Sequence, residues 1–230
     1  MQILLVVAPV FATNCCVVVA GPDGRDADCV VVDAGAGTAP GVERLVAERG
    51  LVPRAVLATH GHVDHTWDAA ALCDRYDVPL RLHAADAYRL GDPFGTLGTE
   101  AADPGVSGAL AQALAATGRR PEDYRAPAVV EPFDGADGGL VAGEVRLRAL
   151  HAPGHTEGST LYVVGDVVLA GDVLFAGGVG RTDLPGGDPA TMARTLRDVV
   201  GGLDPALDVV PGHGPTTTVG RELATNPYLR

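Results

Sequence analysis

Residues 59–65 read Thr-His-Gly-His-Val-Asp-His, so three of the chain's seven histidines and one aspartate fall within positions 60–65. Neutral imidazoles and a carboxylate are the donors that Zn²⁺ or Fe²⁺ accepts. One histidine in a loop is usually a hydrogen-bonded structural residue. His60, His62, Asp64 and His65 together, directly behind an apolar run, point instead to a metal centre. Three more fragments have the same character. APGHTEGS (152–159) sets His155 in a Pro-Gly loop ahead of an apolar run, and VVPGHGPT (209–216) sets His213 in a Pro-Gly loop behind one. LAGDVLF (169–175) places Asp172 at the end of another.

Loops can aim ligands at one point only if rigid elements hold them. Short apolar runs over 2–8, 15–20, 28–32, 54–60, 81–83, 128–132, 144–150, 159–164, 167–170 and 207–210 predict strands. Gly-Pro-Asp-Gly at 21–24 predicts a hairpin turn between the second and third. Helical periodicity covers 40–49, 64–76 and 189–200. Residues 92–127, rich in Gly, Pro and Ala, read as an insertion with one helix at SGALAQALAATG, placed to lie over the site as a lid. Strands run in series with helices interspersed but not regularly alternating, which argues for a layered α/β fold other than a simple doubly wound sheet.

A hydrophobic content of 47% over 230 residues is enough for a sizeable core and excludes a disordered chain. The net charge is −12, all 17 basic residues are Arg, and no basic cluster occurs, which disfavours a nucleic-acid or anionic-membrane surface. Cys15, Cys16, Cys29 and Cys73 form no C-x-x-C and read as small apolar residues of a reducing compartment. The opening MQILLVVAPVFA lacks a basic flank and is broken by Pro9, so it reads as a first strand rather than a signal segment. The expectation is a soluble cytoplasmic protein.

Taken together, His60-x-His62-x-Asp64-His65 with His155, Asp172 and His213 resembles the metallo-β-lactamase superfamily, over nearly the whole chain from Asp33 to His213. The resemblance implies an αββα four-layer sandwich, a single domain over 1–230, with the metal site at one edge between the sheets. It implies two divalent metal ions, Zn²⁺ by default, with Fe or Mn compatible with the same donors. His60, His62 and His155 would hold the first ion and Asp64, His65 and His213 the second, with Asp172 bridging and Asp33 supporting the ligand loops from behind.

Within the superfamily, Asp172 and the stretch GDVLFAGGVGRTDLPGGD (171–188) are similar to glyoxalase II-type thioesterases and the related persulfide dioxygenases. The implied activity is hydrolysis of an S-2-hydroxyacyl conjugate of a small thiol, with Asp64 and Asp172 as catalytic residues and Arg181 binding a substrate carboxylate. The sequence departs from glutathione-using members. Arg181 replaces the usual Lys, Asp183 lies near the usual Tyr, Pro215 replaces a Tyr after the last histidine, and 17 residues follow His213 where those members carry a basic helical extension. Arg181 has a structural alternative, an ion pair with Asp183. Three other readings share the ligand set: a mononuclear iron persulfide dioxygenase using His60, His155 and Asp172, a lactonase or other ester hydrolase, and a metal-stabilised binding module. Trp67, the sole Trp, is expected in the core beneath its helix or else at the pocket rim, while His83 and His151 are expected to be hydrogen-bonded residues without a role in the centre.

Overall fold

Residues 14–19, Asn-Cys-Cys-Val-Val-Val, have no polar face, so they need cover on both sides, and all six are buried. That requirement sets the layering. The structure, a computed structural model, describes residues 1–21, 25–97 and 104–230. One sheet contains β1 (Gln2–Val7), β2 (Asn14–Val19), β3 (Asp28–Val32), β4 (Val52–Leu57) and β5 (Leu80–Arg81), in that spatial order. The first three strands pair antiparallel, and β3, β4 and β5 pair parallel. The helices of this half are α1 (Ala39–Arg49), α2 (Val63–Thr66), α3 (Ala69–Tyr76) and α4 (Pro104–Ala116). The second sheet holds β6 (Asp137–Ala142), β7 (Val145–His151), β8 (Thr160–Val164), β9 (Val167–Gly171), β10 (Asp208–Pro211) and β11 (Thr217–Thr218), with spatial order β11-β10-β9-β8-β7-β6. Its helices are α5 (Pro189–Asp198) and α6 (Val219–Thr225).

Strand alternation sorts the apolar side chains into three layers of core. Cys15, Val17, Val19, Cys29 and Val31 face Val42 and Val46 of α1 and Leu72 of α3. Their neighbours Cys16, Val18, Val30 and Val32 face the other sheet, where they meet Leu147, Tyr162, Leu169 and Val210. The outer face of the second sheet, Leu161, Val168 and Val209, is covered by Met192 and Leu196 of α5 and Val219 of α6. The result is the expected αββα sandwich. A fourth cluster caps one edge: Val63 and Trp67 pack with Leu97, Leu110 and Leu114, and Trp67 meets Phe94 and Tyr124 edge-on. Trp67 is therefore a core residue. All four thiols are free and buried, and burial pushes those of Cys29 and Cys73 up to about 12.

Several sequence expectations need correction. Residues 128–132 form no strand; the segment meets the edge strand β5 and its continuation through the isolated bridges Leu80↔Val130 and His83↔Phe133 and the Arg81–Glu131 ion pair. The helix expected over 64–76 is two, since the chain turns between Thr66 and Ala69 where the Asp68 carboxylate accepts Gly37 N and Ala39 N at 2.9 and 2.8 Å. Strands β6 and β11 and helix α6 carry no alternation strong enough to have been read. In the predicted 21–24 turn the residues past Gly21 lie outside the described residues, as do 98–103 of the predicted insertion. Among the described residues no helix is long and apolar enough to cross a membrane.

Tyr162 stands in the core between the sheets and donates its hydroxyl to Ala58 O at 2.9 Å, just before the histidine loop. Tyr162→Phe removes that donor and leaves a buried carbonyl short of a partner, so it should destabilise the fold by about 1–3 kcal/mol in urea denaturation. A change below about 0.5 kcal/mol would mean that the carbonyl is satisfied elsewhere.

Candidate metal centre

Five strands, β3, β4, β7, β9 and β10, end at the same edge, and each hands its next residues to the site. Chain ends of parallel strands are where open α/β sheets place ligands. Asp33 follows β3, His60 and His62 follow β4, and α2 then presents Asp64 and His65 from its first turn. His155 lies in the β7–β8 loop, and Asp172 and His213 follow β9 and β10. The two sheets are stapled at this edge. Asn14 N donates to Gly212 O at 2.8 Å, its side-chain amide donates to Pro211 O and Gly214 O at 3.0 Å each, and Thr160 N donates to Thr59 O at 2.8 Å.

All seven residues singled out from the sequence converge. His62 Nδ1 lies 3.1 Å from His60 Nε2 and 3.0 Å from His155 Nε2. Beside this triad, His65 Nε2 lies 3.2 Å from His213 Nε2, and Asp64 Oδ2 lies 3.3 Å from His213 Nε2. Asp172 stands between the two groups, with Oδ1 3.4 Å from His65 Nε2 and Oδ2 3.6 Å from both His155 Nε2 and His213 Nε2.

The outward ring nitrogens show where the protons sit. Thr59 Oγ1 donates to Asp33 Oδ2 at 2.8 Å, so the contact between Thr59 Oγ1 and His60 Nδ1, 3.1 Å long, must be a donation from the ring. His155 Nδ1 donates to Arg181 O at 2.7 Å and His213 Nδ1 to Phe11 O at 2.9 Å. His65 Nδ1 faces Asp33 Oδ2 at 3.0 Å, off the line of an ideal hydrogen bond. In each case Nε2 is left facing the site. Asp33 also accepts Thr59 N at 2.8 Å, and these contacts hold it at a left-handed φ of 59°, a conformation Asp tolerates better than most residues.

This arrangement fits a metal ion. His60 Nε2 and His155 Nε2 both present lone pairs, and a single proton on His62 Nδ1 can serve only one of them. Donor atoms about 2.0–2.1 Å from a tetrahedral ion lie about 3.3 Å apart, close to the spacings observed. The electrostatics agree. Burial, then the neighbouring imidazoles, keeps His60 and His62 well below the ordinary histidine range and so neutral, as ligands must be. Burial opposes ionisation of Asp64 and Asp172, yet the facing His65 and its neighbours outweigh it, drawing Asp64 well below the carboxylate range and Asp172 to about 2. Burial likewise opposes charge on His65, but Asp33, Asp172 and Asp64 raise it well above its usual value. Protons occupy part of the place a cation would take.

A cavity of about 500 Å³ opens onto the cluster, walled by Phe11, Leu97, Leu110, Phe175 and Leu184, with His62, Asp64, His155, Asp172 and His213 at its floor. Leu97 and Leu110 come from the segment 92–127. Arg181 is on the rim, and its guanidinium holds Asp183 through two bonds of 2.7 and 2.8 Å. The ion pair with Asp183 read from the sequence is thus present, at the rim of the cavity. His83 and His151 stack on each other away from the centre, centroids 4.0 Å apart, and His151 Nε2 contacts Glu157 O at 2.7 Å. Sequence reasoning missed Thr59, the carbonyls of Phe11 and Arg181, and the buried pair Asp86–Arg89. A carbonyl has no sequence signal, and Asp86-x-x-Arg89 looks like an exposed helical ion pair.

A divalent-metal site built from His and Asp at the edge of an αββα sandwich defines a class of metalloprotein. The chain belongs to the metallo-beta-lactamase superfamily, whose model matches residues 8–213. It is 37% identical over 229 residues to an uncharacterized protein of Mycobacterium tuberculosis (96% of this chain, 95% of the relative). It is 35% identical over 206 residues to the probable metallo-hydrolase YqgX of Bacillus subtilis (89% and 88%) and 28% identical over 232 residues to the hydroxyacylglutathione hydrolase GloC of Haemophilus influenzae (100% and 98%). Among solved structures, TTHA1623 in a di-iron-bound form superimposes with a TM-score of 0.76 at 31% identity, covering 98% of this chain and 100% of that one.

Asp33 carries the outward contacts of both His65 and Thr59. Asp33→Asn should lower the affinity of the purified protein for zinc by about 10- to 100-fold, read by competition with a chelating dye. Unchanged affinity would show that the ligand loops hold themselves.

Proposed function

We propose that the protein is a dinuclear metal-dependent hydrolase of thioesters, acting on S-2-hydroxyacyl conjugates of a small thiol. The observation that carries this reading is the pair of adjacent ligand groups with Asp172 between them. His60, His62 and His155 would hold one ion and Asp64, His65 and His213 the other, with Asp172 shared. Zinc is the expected metal, with iron or manganese accepted by the same donors. Two such ions supply Lewis-acid polarisation of an acyl carbonyl and lower the pKa of water toward about 7.

The chain's own residues do the rest. The Asp64 carboxylate, kept ionised, orients the attacking water from the second half of the site. The thioester needs no strong general acid, because a thiolate whose conjugate acid has a pKa of about 8.5 leaves readily, and among the described residues no Ser or Cys lines the cavity over the cluster. Ser159 is a structural residue, bonded to Thr156 Oγ1 at 2.8 Å. The apolar wall takes the carbon skeleton of the substrate. Arg181 meets a substrate carboxylate at the rim by exchanging part of its pairing with Asp183. The full-length likeness to a hydroxyacylglutathione hydrolase supports the thioester, and the likeness to a di-iron structure supports two ions.

Elemental mass spectrometry on protein purified without added metal should find about two ions per chain. Removing them with a chelator should abolish hydrolysis of a hydroxyacyl thioester, and restoring zinc should recover it. One iron per chain, with oxygen uptake on a persulfide, would replace this reading with the dioxygenase. Asp64→Asn should lower kcat by about 10²-fold or more. Arg181→Met should raise KM about 10-fold for a thioester carrying a carboxylate and leave a neutral one unaffected; equal effects on both would remove Arg181 from substrate binding.

A further inference from the structure

Behind the first triad lies a second carboxylate. Asp86 is completely buried, in the 3-10 turn Ala84–Leu90. Its Oδ2 accepts Gly61 N and Thr156 Oγ1, both at 2.7 Å, and its Oδ1 accepts Gly158 N at 2.8 Å and Arg89 Nε at 3.2 Å. A carboxylate offers about four acceptor positions, and all four are used. The donors belong to two different ligand loops. Gly61 sits between His60 and His62, while Thr156 and Gly158 follow His155. The counter-ion Arg89, also fully buried, ties in a third loop, since its Nη2 donates to Pro185 O at 2.9 Å and pairs with Glu157. That third loop carries Arg181, whose carbonyl fixes the His155 ring.

The packing is as tight as the hydrogen bonding. A Cβ on Gly61 would come within 2.9 Å of Arg89 Cδ and the Asp86 carbonyl, and one on Gly158 within 2.7 Å of Asp86 Cβ and Cγ. The two glycines let both loops press onto the same turn.

We infer that Asp86, with Arg89, is a positioning residue for the metal centre, fixing the His60–His62 loop against the His155 loop and so setting the first ligand triad. The inference rests on the dinuclear reading above. Asp33 does the corresponding task for His65 in the other half. Asp33 also reaches the first triad through Thr59 and His60, whereas Asp86 touches only the loops of the first triad, so loss of Asp86 should be felt by one ion before the other.

The test is zinc titration of metal-free protein, monitored by a competing dye, for wild type, Asp86→Asn and Thr156→Val. Asn keeps the size of Asp but turns an amide toward N–H donors. Val keeps the shape of Thr and removes one donor. Wild type should bind two ions. Asp86→Asn should weaken one of them by about 10- to 100-fold and leave the other, and Thr156→Val should weaken the same ion several-fold. Amide exchange in the metal-free protein should be faster at Gly61 and Gly158 in both variants. If Asp86→Asn does not fold, Thr156→Val decides. Folded variants that bind both ions like wild type, or that weaken both equally, overturn the inference while leaving the hydrolase reading intact. A wild type that binds no ion overturns the hydrolase reading and this inference with it.

Discussion

Imidazoles can crowd together in a protein interior only if their ring protons are disposed of on the side away from the crowd. Four of the five clustered histidines meet this constraint with a fixed group behind them: Thr59 Oγ1 for His60, Asp33 for His65, the Arg181 carbonyl for His155 and the Phe11 carbonyl for His213. The fifth, His62, turns Nδ1 to the cluster and keeps Nε2 buried without a partner. Much of the surrounding architecture follows. Strand ends from both sheets must stop at one edge, and the loops beyond them must be short and held, because a ring tipped away from its acceptor would turn its lone pair away from the site. The low-dielectric surroundings then favour a cation strongly, since a buried set of lone pairs and carboxylates without one is costly.

The membership of the cluster was legible in the sequence because metal-ligand types are carried by side chains, and H-x-H-x-D-H with His155, Asp172 and His213 contains all seven residues that converge. In the structure β2 and β3 supply apolar side chains to both faces of their sheet; a layered α/β fold was legible from apolar runs in series with helices between them, and its αββα order only through the family resemblance. The supporting structure was not. Asp86 and Arg89 are three apart and opposite in charge, a pattern that on most helices faces water, and only the turn's position under two ligand loops buries them. The split between α2 and α3 was hidden because Asp68, which accepts backbone amides of the α1 approach, looks in sequence like an ordinary helical acid. The edge pieces β6 and β11 escaped because Gly-Gly in the first and a length of two residues in the second leave no alternation to detect.

The cavity divides its labour between the layers. Its floor comes from strand ends, which are rigid and shared by the fold. Its walls come from Phe11 in the β1–β2 loop, Leu97 and Leu110 in the 92–127 segment, and Phe175 and Leu184 beyond β9. Loop residues can vary without disturbing the sandwich, so the metal chemistry and the shape of the accepted molecule are set by different parts of the chain.

The spread of the ligands along the chain has a consequence for how the molecule comes into being. His62 and His155 touch across 93 positions, and His65 and His213 across 148. No local segment contains either half of the centre, so an unfolded or half-synthesised chain offers an ion only the four donors clustered at 60–65 and, apart from them, isolated ones. The complete ligand sets exist only in the native state, so an ion held there would add to its stability by mass action, at most about 2.7 kcal/mol when free ion stands at a hundred times its dissociation constant. During synthesis from the N-terminus the first sheet and the His60–His65 loop emerge long before the β10 strand that brings His213. The centre can thus be completed only late, once β10 has emerged, and an ion held there signals that both sheets have met.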